Sequence, residues 1–392
     1  MINPFLSFFK TPYFYLFYFI LNTQFLHSFE KFSNYRNYLE TDEKYRLIKI
    51  VDGLNYPWGM TFIDDEHLLI TEKKGNIIKV NIINGKKEKI KHNIKNIISK
   101  GQGGLLDIIS HNDGFIYFTY SHGYKKESKG IKKFTGKSSS AIARGRIVKN
   151  EIKDLQLLLL AQPKLDINKH FGSRLVIKDD IIFASFGERG MGMIAQDVDK
   201  HPGSIVRIKT DGTVPNDNPF NLESTKNWLP EIYQIGLRNP QGMTLSPFNN
   251  KIYFSNHGPR GGDSIGMVKF SGNYGWKKIA WGGTEYSGRK IGQKALENIY
   301  DKPLVIWVPS IGIGNLRFYN GKVFPNWHGD ILITAAKINM LIRIDLDGNN
   351  IVKEEIILKD KIGRIRDIEI NKKGDIFLLS DEYNSGLWKI TK

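Results

Sequence analysis

Residues 236–258 read "GLRNPQGMTLSPFNNKIYFSNHG". A glycine-led lead-in opens onto a short apolar run, a polar turn follows, and a second hydrophobic, β-rich run closes the phrase. Residues 53–62, "GLNYPWGMTF", followed by "HLLITEKKG", say almost the same thing, with Asn55 and Tyr56 where the other copy has Arg238 and Asn239. The phrase recurs at "GQGGLLDIIS…FIYFTYSHG", "HFGSRLVIKDDIIFASFGERG", "GIGNLRFYNGKVFPNWHGDILITAAK" and "GRIRDIEINKKGDIFLLSDEYNSG", which makes six in all. Their starts lie roughly fifty to seventy residues apart, the spacing of propeller blades that carry insertions. Two more strand-like runs usually follow, such as "GSIVRIKTDG" and "LIRIDLDGN". Amphipathic helical periodicity is almost absent, and Lys-Lys-Gly between "HLLITE" and "NIIKVNI" is a hairpin signal. A four-stranded sheet cannot bury both faces alone, and stacking six radially solves this for all of them. The expectation is an all-β chain folded as a six-bladed propeller of four-stranded antiparallel blades, spanning residues 45–392.

Composition narrows the partners. The chain has 392 residues, no cysteine, and 57 Lys+Arg against 40 Asp+Glu, a formal net charge of +17. Without cysteine there are no disulfides, thiolate metal sites or cysteine nucleophiles. The basic balance favours anionic partners. The lysines are scattered, however, as in "NGKKEKIKH" and "GYKKESKGIKKF", with no nucleic-acid-binding motif beside them, so no nucleic-acid partner is expected. The run Lys125–Lys137 reads as a solvated loop inserted in a blade. At the N-terminus "KTPYFYLFYFILNTQFL", Lys10–Leu26, is apolar but shorter than the ~20 residues that span a bilayer. It reads as a signal peptide or hydrophobic segment within residues 1–30 and points to export, with a periplasmic address.

Blade lead-ins converge around one axis, so polar residues placed on them meet although distant in sequence. Those that a strand lead-in does not need are Gln102, His170, Arg238 with Asn239, and Arg364 with Arg366; Lys337 closes the strand "ITAAK". Several cations facing one funnel repel unless an anionic ligand offsets them. A second stretch, "NHGPRGGD" at residues 256–263, forces a turn whose bare carbonyls can serve a hard cation.

In this order, "PWGM", "GQGGLLD", "HFGSRL", "AQD", "VPNDNPF", "GLRNPQGM", "HGPRGGD", "NYGW", "YSG" and "GRIRD" resemble the soluble quinoprotein sugar dehydrogenases, that is the aldose sugar dehydrogenases and the PQQ-dependent soluble glucose dehydrogenase. The resemblance runs from about Ile48 to the C-terminus. It implies the same six-bladed fold, pyrroloquinoline quinone (PQQ) and Ca²⁺ as cofactors, a small-molecule sugar as substrate, and an external electron acceptor, a quinone or a cytochrome. It also implies roles. His170 is the general base on the anomeric C1 hydroxyl, from which hydride passes to PQQ and a lactone forms. Arg238 stabilises the oxyanion developing on the quinone. Asn239, Lys337, Arg364 and Arg366 hold the cofactor, and Gln102 lines the substrate side. The main-chain oxygens of Gly258 and Pro259 bind Ca²⁺.

Two positions depart from the pattern. Glu188 stands where an aspartate commonly orients the histidine, and Ser264 stands where an acid usually follows "HGPRGGD". Each site residue also has an ordinary reading: His170 as a turn histidine, Gln102 bonded to backbone, Glu188 in a surface pair, Arg364 and Arg366 as one strand face, His257 as structural. Two other functions compete, a calcium-dependent propeller lactonase and a non-catalytic binding propeller. The cationic character of the convergent groups favours the dehydrogenase. Loops such as "WGGTEYSG", Trp281–Gly288, are where sugar specificity is expected.

Overall fold

A computed structural model describes residues 31–128, 131–293, 298–347 and 350–392; the apolar run Lys10–Leu26 lies outside them. Each recurring phrase folds as the two innermost strands of one sheet. Blade 1 begins with Pro57–Phe62 and His67–Glu72, blade 2 with Leu105–Ser110 and Ile116–Ser128, and blade 3 with Gly172–Lys178 and Ile181–Phe186. Blade 4 begins with Pro240–Leu245 and Ile252–Asn256, blade 5 with Ile313–Phe318 and Ile331–Ala335, and blade 6 with Ile365–Ile370 and Ile376–Ser380. Further strands complete each antiparallel blade. In blade 6 the outermost is Arg46–Leu54, paired antiparallel with Ser385–Thr391, so the two ends of the propeller close the ring. The six-bladed all-β architecture is the one the phrases imply.

The edges add detail that the phrases do not carry. Three blades gain a fifth, short strand that pairs in parallel: Lys31–Ser33 on Val305–Trp307, Leu39–Glu40 on Asn350–Lys359, and Gly272–Asn273 on Ile232–Ile235. The first two lie upstream of residue 45, so the chain joins the propeller earlier than the repeat pattern indicates. Lys125–Lys137 is not simply a loop. Ile116–Ser128 and Ile131–Val148 keep pairing past the blade, with Lys125 opposite Phe134 and Lys126 opposite Lys133. Backbone amides there are satisfied by the ladder, which a polar composition alone does not reveal.

The core is divided among the gaps between blades. Leu69 and Ile77 of blade 1 meet Leu105 and Phe118 of blade 2; Tyr117 and Ile142 meet Leu175 and Ile182; Phe183 and Ile205 meet Met243 and Phe254. Around the other half, Tyr253 and Ile265 meet Leu316 and Ile333, Leu332 and Leu341 meet Ile368 and Leu378, and Phe377 and Leu379 meet Met60 and Leu68. Each sheet is therefore covered on both faces only because its neighbours are present.

One local device recurs in all six blades. The pairing of the first strand with the second breaks near its start: between Pro57 and Met60, Leu105 and Ile108, Gly172 and Leu175, Pro240 and Gly242, Ile313 and Leu316, and Ile365 and Asp367. Extra residues at a bulge bend the strand and re-aim side chains. Here they carry Asp107, Arg174, Gln241, Asn315 and Arg366 towards the axis. The result is a buried polar plug. Arg174, 1% exposed, places Nη1 2.9 Å from both Asp107 Oδ1 and Asp367 Oδ1, while its Nε donates to the Gln241 carbonyl at 2.8 Å. Asn315 Nδ2 donates to Asp367 Oδ1 at 2.6 Å, and the Met60 amide donates to Asp367 Oδ2 at 2.8 Å. The guanidinium also stacks over Trp58, 4.1 Å from the ring centre, so Trp58 packs against a cation.

Candidate active site

At the lead-in end of this plug lie two adjoining chambers. The first, about 230 Å³, is bounded by Lys73, Gln102, Asn239, Gln241, His257, Lys337, Arg364, Arg366 and Asp381, with Trp58, Leu106 and Phe171 as its apolar wall. The second, about 310 Å³, is bounded by Gln102, His170, Glu188, Arg238, Asn239, His257 and Trp276. Gln102, Asn239 and His257 face both. Every polar residue singled out on the lead-ins therefore reaches this pair of chambers, although they come from five different blades. Glu285 and Tyr286 of "WGGTEYSG" also reach the second chamber.

His170 is held in an unusual backbone conformation, φ +51°, at the head of blade 3. A non-glycine residue in the left-handed region persists where its surroundings fix it. Gln102 Oε1 accepts from the His170 amide at 2.7 Å, and the Arg189 amide donates to the His170 carbonyl at 3.2 Å. Gly187 gives the backbone room: a Cβ there would stand 2.3 Å from the His170 carbonyl oxygen. The ordinary reading of Gln102, a bond to backbone, thus coexists with its place in the chamber wall.

Glu188 pairs with His170 rather than with a surface cation. His170 Nδ1 lies 2.5 Å from Glu188 Oε1, and Glu188 Oε2 accepts from the Gly192 amide at 2.6 Å. Burial alone would raise the Glu188 carboxyl, but the hydrogen bond and charge of His170, with the Gly192 amide and Arg238, hold it below its ordinary value. An ionised carboxylate only accepts, so Nδ1 carries the imidazole proton and Nε2 keeps its lone pair. Burial also lowers the His170 pKa below its ordinary value; Glu188 opposes this and the positive field of Arg238 adds to it. The imidazole is thus neutral near pH 7, the state a base requires.

The two chambers treat their cations differently. Arg238 Nη1 donates to the carbonyls of His257 and Gly258, each at 2.9 Å, and its guanidinium lies 5.5 Å from the Trp276 ring centre. In the first chamber Arg366 is paired with Asp381 and donates to Gln241 Oε1 at 2.9 Å. Lys337 Nζ has only the Ser310 carbonyl, at 3.3 Å, and the Arg364 guanidinium has no ion pair among the described residues. The Ser310 hydroxyl beside them is buried without a partner. Four cations against one carboxylate, around an open volume, fit a polyanionic ligand such as a tricarboxylate quinone.

The expected metal position does not fit in the same way. The Gly258 carbonyl accepts from Arg238, and His257 Nδ1 lies 2.8 Å from it, so one of the two main-chain oxygens expected to hold Ca²⁺ is already engaged. Asp263 is not free either. Its Oδ1 accepts from the Gly258 amide at 2.7 Å, and its Oδ2 accepts from Gly312 and Ile313 at 2.7 and 2.9 Å. Among the described residues no group of three or more His, Asp or Glu gathers as a metal site. His257, read from sequence as structural, packs against this turn and also lines both chambers.

Lys73 and Asp381 were not visible as site residues in the sequence. Both directly follow the last residue of a blade's second strand, as His257 does in blade 4. Lys337 and Glu188 lie two residues beyond theirs. The signal was therefore present: in these five blades a residue one or two positions beyond the second strand faces the same funnel as the lead-ins.

Comparison with known proteins agrees with this geometry. The model of the glucose/sorbosone dehydrogenase family matches residues 54–389. Aldose sugar dehydrogenase YliI of Escherichia coli (strain K12) is 33% identical over 350 residues, covering 87% of this chain and 91% of that protein. The apo-form structure of the soluble aldose sugar dehydrogenase from Escherichia coli superposes with a TM-score of 0.80 at 31% identity, covering 89% of this chain and 99% of that one. The PQQ-bound form of an aldose sugar dehydrogenase from Streptomyces coelicolor shares the fold, with a TM-score of 0.70 at 20% identity over 89% and 98% of the two chains. Six closed blades, a buried histidine–glutamate pair and a cation-lined chamber thus occur together in a chain that belongs to the glucose/sorbosone dehydrogenase family.

Proposed function

We propose that the protein is a PQQ-dependent aldose dehydrogenase that oxidises the anomeric C1 hydroxyl of a sugar to the lactone. The observation that carries this reading is the neutral His170, tied at Nδ1 to Glu188 and open at Nε2, in a chamber that adjoins one lined by unpaired cations. When bound, PQQ supplies the two-electron acceptor that no side chain can provide. Everything else falls to the chain. His170 Nε2 takes the hydroxyl proton of the sugar, and Glu188 orients the ring and stabilises the imidazolium that results. Lys337, Arg364 and Arg366 offset the carboxylates of the cofactor. Asn239 faces both chambers, where it can contact cofactor and sugar together, and Gln102 fixes the His170 backbone from the substrate side.

Arg238 faces the second chamber, where its positive charge would stabilise negative charge developing on a quinone bound alongside. The reading includes export, which rests on the apolar run Lys10–Leu26. It also includes transfer of electrons onward to an external acceptor. Calcium enters no step, because Arg238 already uses the Gly258 oxygen.

The test is direct. Purified apoprotein receives PQQ, an artificial dye acceptor and a panel of aldoses. Dye reduction that requires both sugar and PQQ supports the reading. In His170→Ala, PQQ should remain bound while turnover falls by at least about a hundredfold. Turnover retained in that variant, or no PQQ-dependent reduction in the wild type, contradicts it.

A further inference from the structure

Lys73 follows the second strand of blade 1 in the turn "EKKG". Its backbone is fixed. The Lys73 amide donates to the Tyr56 carbonyl at 3.1 Å, and its carbonyl accepts from the Leu105 amide at 3.1 Å. Gly104 permits this approach, since a Cβ there would stand 2.3 Å from the Lys73 oxygen. The side chain is half-buried and lines the first chamber. Among the described residues its ammonium reaches only the Gly101 carbonyl, at 3.4 Å, and the ring of Tyr56, 5.7 Å to its centre.

The charged groups that face Lys73 do not neutralise it. Asp381 acts on it from blade 6 but is already paired with Arg366, and Arg364 and Arg366 repel it from the same blade. Burial lowers the Lys73 pKa, Asp381 opposes the shift, and the two arginines add to it. A half-buried ammonium without a counter-ion is unfavourable in the empty protein. Keeping one at a rigid position in a ligand-sized cavity makes sense when an anion completes it.

We infer that Lys73 is a ligand-binding residue of the cation-lined chamber, forming a charge-assisted hydrogen bond to a carboxylate of the bound quinone from the blade 1 side, in addition to the contacts from blades 5 and 6. This rests on the proposed function and deepens it. Lys73, Lys337, Arg364 and Arg366 against Asp381 leave an excess of three positive charges, which matches a tricarboxylate. Because the anion favours the charged amine, binding takes up a proton at any pH above the lowered Lys73 pKa.

Equilibrium dialysis of PQQ against purified apoprotein tests this, with bound PQQ read from its absorbance and no turnover required. Wild type, Lys73→Ala, Lys73→Arg and the neighbouring exposed-lysine variant Lys74→Ala are compared. Loss of one charge-assisted hydrogen bond predicts a Kd about tenfold or more higher in K73A, with unchanged stoichiometry, near wild-type values in K73R and no effect in K74A. The wild-type Kd should weaken as pH rises through the lowered Lys73 pKa, while K73R should lack that step, since arginine does not titrate there. Wild type that binds PQQ alongside K73A that binds it equally well overturns the Lys73 role and leaves the proposed function standing. Wild type that binds no PQQ overturns both.

Discussion

Two groups of cations lie near the propeller axis, and they are handled in opposite ways. In the plug, Arg174 is flanked by Asp107 and Asp367. Elsewhere in the blades Arg317 is paired with Glu369, and Arg343 with Asp330 and Glu355. At the mouth, Lys73, Lys337 and Arg364 have carbonyls or nothing. A cation that serves the fold brings its own counter-ion, because an unpaired buried charge costs several kcal/mol. Most cations at the mouth leave that place open; Arg366, paired with Asp381, is the exception. The difference separates structural from functional arginines and lysines where residue type alone cannot.

The comparison breaks most visibly through stability. Arg174→Met leaves two buried carboxylates without a cation and should lower stability by about 3–5 kcal/mol, seen in the midpoint of urea unfolding. Lys337→Ala or Arg364→Ala should change stability by no more than about 0.5 kcal/mol while weakening PQQ about tenfold. If the mouth variants destabilise as much as R174M, the two groups are not different in kind.

Smaller effects sharpen the contrast at His170. Glu188 raises the histidine pKa and Arg238 lowers it, with burial as the largest influence. Glu188→Gln should therefore move the acidic limb of the kcat/KM profile to lower pH, and Arg238→Ala should move it to higher pH. Activity, which needs the neutral ring, is lost as pH falls through the lowered pKa and is constant above it. A limb that stays in place in both variants contradicts the role of the pair.

Much of this was legible in the sequence, for reasons that particular residues make plain. Strand phrases repeat because each blade solves the same packing problem, so six could be counted, and Arg238 or Arg364 stood out against the copy that has Asn55 and Tyr56. Lys73 did not stand out, since "EKKG" is also what an ordinary hairpin turn looks like; only the closed ring brings that turn into the same chamber as Lys337. Arg174 and Asp367 were quoted within recurring phrases, but their pairing depends on bulges that no spacing rule reports.

The central claim is that the unpaired cations around the first chamber hold a polyanionic quinone beside a neutral histidine. A crystal structure of the protein grown with PQQ tests it most directly. The account predicts the quinone in the first chamber, with its carboxylates within hydrogen-bond distance of Lys73, Lys337 and Arg364 and its ring next to the His170 chamber. PQQ bound elsewhere, or contacts confined to groups that already carry a counter-ion, would contradict it.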